Sequence, residues 1–147
     1  MSNEVRSRVD QFFEAYRAAF EAWNAPAIAD FFTLPLHITS DARDVSVTVM
    51  ASRNDWIEQV NRLLGMYRAI GLASARVLEL DMVELSPRVL QAVVHWGLHD
   101  GAGDSLYDFN AMYTLVTVEN RQHIAAIAHN EIPKYQACLS RLKAERT

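Results

Sequence analysis

LYDFNAMYTLVTVENRQHIAAIAHNE, residues 106–131, carries the strongest β signal of the chain. Two runs rich in β-branched and aromatic residues, 106–118 and 123–131, flank the polar break Glu119-Asn120-Arg121-Gln122. That pattern predicts a long antiparallel hairpin. Working back from it, the spacing predicts strands over 72–85, 89–100 and 105–118, with the closing strand over 123–131. Ser86-Pro87 and Gly101-Ala102-Gly103-Asp104 supply turn compositions between them. Two shorter strands, 36–40 and 45–50, precede these across Asp41-Ala42-Arg43-Asp44.

The start of the chain has a different period. Val5, Val9, Phe12, Phe13, Tyr16, Phe20 and Trp23 recur every three or four residues and share one helix face. Asn24 then caps a short second helix with Pro26 in its first turn and Ala27, Ile28, Phe31 and Phe32 on its buried side. Leu34-Pro35 is expected to end it. Ser52 and Asp55 have capping-box spacing, and Trp56, Val60, Leu63, Leu64 and Tyr67 continue a third helix to Gly71. A helical tail is expected over 133–146, with Tyr135, Leu139 and Leu142 on one side. Helices gathered early and strands gathered late predict an α+β fold: three N-terminal helices against a curved, mostly antiparallel sheet of about six strands, closed by a C-terminal helical tail.

The 147 residues suit one domain, 1–147, large enough to bury a core without staples. A net charge of −4 with no run of basic residues argues against a nucleic-acid partner. The single cysteine, Cys138, precludes an internal disulfide and reads as a small buried hydrophobe. No apolar run reaches the ~18 to 20 residues of a membrane span. The opening MSNEVRSRVDQFF lacks the apolar segment of a signal peptide. A cytoplasmic protein with no membrane partner is expected.

The element order resembles the nuclear transport factor 2-like superfamily, also called the SnoaL-like or cystatin-like cone fold. FFEAYRAAFEAWNAPAIADFF (12–32) and YTLVTVENRQHIAAIAHNE (113–131) carry the resemblance. The first is similar to the family's long helix, break and second helix, and the second to its penultimate strand, turn and closing strand. The resemblance implies a cone with a pocket at its wide end and frequent homodimers. Its members include isomerases, cyclases, dehydratases, dioxygenase subunits and binding proteins without catalysis. In the steroid-isomerase branch, the first helix supplies a tyrosine donor, which falls on Tyr16. That branch's penultimate-strand carboxylic acid falls on Thr114, which has no carboxyl. Near its catalytic base stand Ser40 and Asp41, so steroid-isomerase chemistry is not the leading expectation.

Setting Asp100 opposite Ser105 pairs His95 with Asn110 and Gly97 with Asp108. Alternation then gives one face with Gln91, Val93, His95, Asp108, Asn110, Met112 and Thr114, and another with Trp96, Leu98, Tyr107, Phe109, Ala111 and Tyr113. Hydrophobicity alone packs the Trp96-Phe109-Tyr113 face on the helices. The resemblance, through the parity of Thr114, turns His95, Asp108, Asn110 and Met112 into the pocket and leaves the apolar face for a second subunit. In that second case His95 and Asp108, diagonal neighbours, form a base pair of groups, with Asn110 or Tyr16 as oxyanion donor. Tyr16 and Trp56 on the helices, and His37 near the mouth, complete the expected pocket; His129 and Glu131 fall at a rim. His95 and His99, about 13 Å apart on a strand, cannot share an ion, and no metal or cofactor is expected. The expected function is small-molecule binding in a partly apolar internal pocket, with or without cofactor-free isomerase, cyclase or dehydratase chemistry. The alternative is a non-catalytic homodimeric binding or assembly module pairing through the sheet face.

Overall fold

The computed structural model describes residues 3–146; Met1, Ser2 and Thr147, the ends of the expected 1–147 span, lie outside the described residues. In chain order the elements are α1 (Asn3–Glu21), α2 (Ala25–Ala29), β1 (Phe32–Asp41), β2 (Val45–Met50), α3 (Arg53–Ala69), β3 (Leu72–Ser86), β4 (Val89–Asp100), β5 (Ser105–Val118), β6 (Arg121–His129) and α4 (Glu131–Glu145). The six strands form one sheet in the order β2-β1-β6-β5-β4-β3. Every neighbouring pair is antiparallel except β1 and β6, which run parallel.

Local chemistry sets most of the boundaries. The Asn24 side chain accepts from the Ala27 N–H at 3.1 Å to start α2, and Ser52 accepts from Asp55 to start α3. Gly71 takes the positive φ of 75° that carries the chain from α3 into β3. Glu119 and Asn120, both at positive φ, form the two-residue turn between β5 and β6. The β4–β5 turn is organised by Asp100, whose Oδ1 accepts from the N–H groups of Ala102 and Asp104 at 3.0 Å each.

Several boundaries differ from the expectation, among them the start of β6 at Arg121, a residue expected in the turn. α2 ends at Ala29, and β1 begins at Phe32, so Phe32 is a strand residue rather than part of the second helix. The sheet claims it because Phe32 pairs with Ile124 of β6 and packs on Trp56, with ring centroids 5.0 Å apart. The closing strand stops at His129, and α4 starts at Glu131, before Pro133.

The core lies between the helices and one face of the sheet. Phe13 and Tyr16 of α1 meet Trp96 of β4 and Tyr113 of β5, with ring centroids 4.9 to 6.2 Å apart. The Trp96 indole N–H donates to the Tyr113 hydroxyl at 2.8 Å, which satisfies both polar tips inside the core. His95 pairs with Asn110 and Gly97 with Asp108 as expected, but a register shift between Leu98 and His99 sets Ser105 opposite His99 rather than the expected Asp100. Trp96, Leu98, Phe109, Ala111 and Tyr113 accordingly face inward together and are buried.

Candidate functional site: a carboxyl inside a cavity

The concave side of the sheet and the helices enclose a cavity of about 330 Å³. Its wall is largely apolar: Phe20 of α1, Val60 and Leu63 of α3, and Leu98, Phe109 and Ile127 of the sheet. Alternation on adjoining strands explains the rest of the lining. Ile38 and Ser40 on β1 register with Ile127 and His129 on β6, and all four belong to the wall.

Glu131 is the residue that sets this cavity apart from a plain apolar pocket. The chain leaves β6 after His129 and enters α4 at Glu131, which puts the side chain on the cavity wall, 9% exposed. Its Oε2 accepts from the Tyr67 hydroxyl at 2.7 Å and from the Tyr107 hydroxyl at 2.8 Å. No hydrogen bond to Oε1 is formed among the described residues. Burial pushes the carboxyl up to about 7, against the opposing pull of the Tyr67 and Tyr107 hydrogen bonds. A helix N-terminus favours a carboxylate by about 0.3–1 kcal/mol, whereas removing a charge from water costs several. Burial therefore wins. Burial also raises the phenols of Tyr16, Tyr67 and Tyr107, so all three stay protonated donors.

His129 shares this end of the cavity. Its Nδ1 accepts the backbone N–H of Glu131 at 3.2 Å, and burial lowers its pKa. Two further polar atoms on wall residues are buried without a partner: Ser40 Oγ and Trp56 Nε1. Ser40 is 7% and Trp56 9% exposed. An unpaired buried polar atom costs on the order of 1–3 kcal/mol, a penalty the fold carries at both positions.

The residues singled out from sequence divide sharply. Tyr16 and Trp56 lie on the cavity wall. His37, His95, Asp108, Asn110 and Met112 do not; they stand on the opposite, outer face of the sheet. His95 Nε2 and Asp108 Oδ2 do meet, at 2.5 Å, and the hydrogen bond holds the Asp108 carboxyl below its ordinary range, but the Asp108 side chain is 53% exposed and the pair does not reach the cavity. Thr114 is likewise outward and takes a hydrogen bond from Gln91 at 3.1 Å. The inward position is Tyr113, one residue earlier, and a one-residue slip exchanges the two faces of a strand. Hydrophobic patterning placed the apolar face correctly; the parity carried over at Thr114 did not. His129 and Glu131, expected only at a rim, stand on the cavity wall, and the Tyr67 and Tyr107 phenols, expected on apolar faces, join Glu131 there. Pro133 was a usable signal, since proline in a first helical turn would have moved the start of α4 back to Asn130-Glu131.

Among the described residues no group of three or more His, Cys, Asp or Glu side chains could hold a metal ion. No helix of the described residues is long and apolar enough to cross a membrane.

Solved structures share the fold at low sequence identity. A protein called Aln2 from a Streptomyces species superposes with a TM-score of 0.68 at 13% identity, covering 100% of this chain and 98% of that one. A cystatin-like domain of unknown function from Nostoc punctiforme gives 0.65 at 11%, covering 98% and 88%. A Catenulispora acidiphila protein in complex with S-DNPA gives 0.65 at 16%, covering 87% and 95%. No functionally curated protein matches the sequence. A family model described as NTF2-like protein (DUF6841) matches residues 3–132, most of the chain, and the chain therefore belongs to the NTF2-like family.

Proposed function

We propose that the cavity binds a small, largely apolar organic molecule and that Glu131 exchanges a proton with it, in cofactor-free chemistry of the isomerase, cyclase or dehydratase type. The observation that carries this is a buried carboxyl, poised near neutral pH, on the wall of an apolar cavity. A general acid or base is most effective when its pKa lies near the working pH. The hollow, at about 330 Å³, is large enough to take a small organic molecule. Tyr67 and Tyr107 both donate to Oε2, so neither occupies Oε1. That the structural relative from Catenulispora acidiphila was solved in complex with S-DNPA is in keeping with a ligand-binding use of this fold.

A second copy of the chain is the proposed partner, paired through the outer sheet face. Val45, Val47 and Val49 on β2 expose 66%, 69% and 52% of their surface in one row, and Met112 on β5 exposes 47%. An exposed apolar row such as that of Val45, Val47 and Val49 favours a protein contact.

The proton-exchange reading is tested with 2-tetralone, a small apolar ketone with acidic α-hydrogens. In D₂O the protein is expected to accelerate deuterium uptake at the α-carbon, with a rate that rises through about pH 7 as Glu131 ionises. Glu131→Gln should abolish the acceleration while leaving the fold intact. Equal rates in the two proteins would overturn it.

A further inference from the structure

The sheet ends in two edge strands, β2 and β3, and their sequences treat the open edge in opposite ways. The ladder of β3 with β4 is broken by register shifts at Leu72/Ser74, Val77/Glu79 and Glu84/Ser86, and β3 carries Arg76, Glu79, Asp81 and Glu84. Bulges and charges of this kind keep other strands from adding to an edge. β2 has neither. Its six residues, VSVTVM, hold no charge, proline or glycine, and its ladder with β1 runs unshifted from Leu36↔Met50 to Asp41↔Val45. Val45 to Val49 are exposed on both faces of the strand. Thr48 and Met50 face the cavity, so Val45, Val47 and Val49 point outward. An edge strand leaves alternate N–H and C=O groups without a ladder partner, and here they belong to a strongly β-forming sequence.

We propose that the β2 edges of two copies pair antiparallel about a twofold axis at Val47, joining their sheets into one continuous sheet. This rests on the reading of a second copy as the partner and adds to it a contact of edge against edge. Two identical strands related by a twofold axis pair antiparallel, and residues directly opposite one another share a face. The alternation of β2 then selects the register. A shift of one residue sets each valine against Ser46, Thr48 or Met50, and a shift of two leaves one valine of each copy without a valine opposite. Only with Val47 on the axis do all three meet valines, Val45 facing the partner's Val49 and Val49 the partner's Val45. The same register puts Ser46 opposite the partner's Thr48, two hydroxyls able to hydrogen-bond across the strands. Charge agrees at both ends. The net negative corner of Asp41, Arg43 and Asp44 falls opposite Met50 and the residues after it, where the other copy's α3 begins with Arg53 and its positive helix end. A strand that matches itself in pattern and in charge fits a second copy of this chain.

Disulfide trapping in the full chain reads this register. Residues opposite one another in an antiparallel pair have Cα atoms about 4.5–5.5 Å apart, a span that a disulfide closes. Val47→Cys should therefore cross-link to itself under mild oxidation, with the buried Cys138 taking no part. Val45→Cys alone should not, because its two copies are offset by roughly 13 Å along the strands. A mixture of Val45→Cys and Val49→Cys chains should cross-link again. Sheets packed face to face stand about 10 Å apart, too far for a disulfide at position 47. Hydrogen exchange of the unsubstituted protein gives a second reading: β2 amides should gain protection as protein concentration rises, and β3 amides should not. A protein that sediments as a dimer while Val47→Cys gives no cross-link, or no more than Val45→Cys, overturns the edge contact and leaves the second-copy reading standing. A protein that stays monomeric at millimolar concentration, with β2 exchange indifferent to concentration, overturns both and leaves the edge to a strand of some other protein.

Discussion

At the scale of single residues, the behaviour of the protein near neutral pH depends on Glu131. Its carboxyl ionises near 7 in the folded state, against an ordinary value of 4.5. Between those values the folded chain retains a proton that the unfolded chain has lost. Stability therefore falls as pH rises through this window and levels off above about 7. The shift corresponds to roughly 3 kcal/mol, a large share of a domain's stability. Urea denaturation of wild type and Glu131→Gln between pH 4.5 and 8 should show that slope in the first and not in the second, with the variant the more stable at pH 8. Tyr67→Phe and Tyr107→Phe remove hydrogen bonds that favour the carboxylate. Each should raise the Glu131 pKa further, moving the midpoint of the exchange-rate profile to higher pH. This carboxyl was not legible from local sequence, because nothing near position 131 announces its partners. They arrive from α3 and β5, 64 and 24 residues away.

At the scale of elements, the β4–β5 hairpin was the most legible part, because the Gly101-to-Asp104 composition marks the turn and alternation assigns the faces; the register shift between Leu98 and His99, which puts Ser105 opposite His99 instead of Asp100, was not legible. The Asp100 side chain underlies that turn by capping two backbone N–H groups. Asp100→Ala should cost about 1–2 kcal/mol in chemical denaturation, with an unchanged denaturant slope. The second helix was legible at its capped start and not at its end: the periodicity of Phe31-Phe32 looks helical, but β6 offers Phe32 a strand partner that outcompetes it. Which face of the hairpin turned inward was decided by burying Trp96, Phe109 and Tyr113, each worth about 1.5–3 kcal/mol, against exposing them. The outward His95–Asp108 pair follows from that choice, since alternation places polar residues wherever the apolar ones are not.

At the scale of the whole molecule, the α+β order of helices and strands was readable because each element has a clear period, and the fold follows from closing one curved sheet over three helices. The volume left inside was not readable, since it depends on how far the sheet curves away from α1 and α3. The outer face gives this scale its own prediction. Val47→Lys should shift the protein to a smaller species in sedimentation velocity without lowering its melting temperature in the monomer range, because Val47 contacts solvent in the isolated chain. Whether Glu131 carries a carboxyl poised near neutrality against a guest in the cavity is read by ¹³C NMR titration of its side chain, with and without 2-tetralone. The midpoint should lie near 7 in the free protein and move in the complex. A midpoint near the ordinary 4.5, or one that ignores the bound ketone, would overturn the proposed role of Glu131.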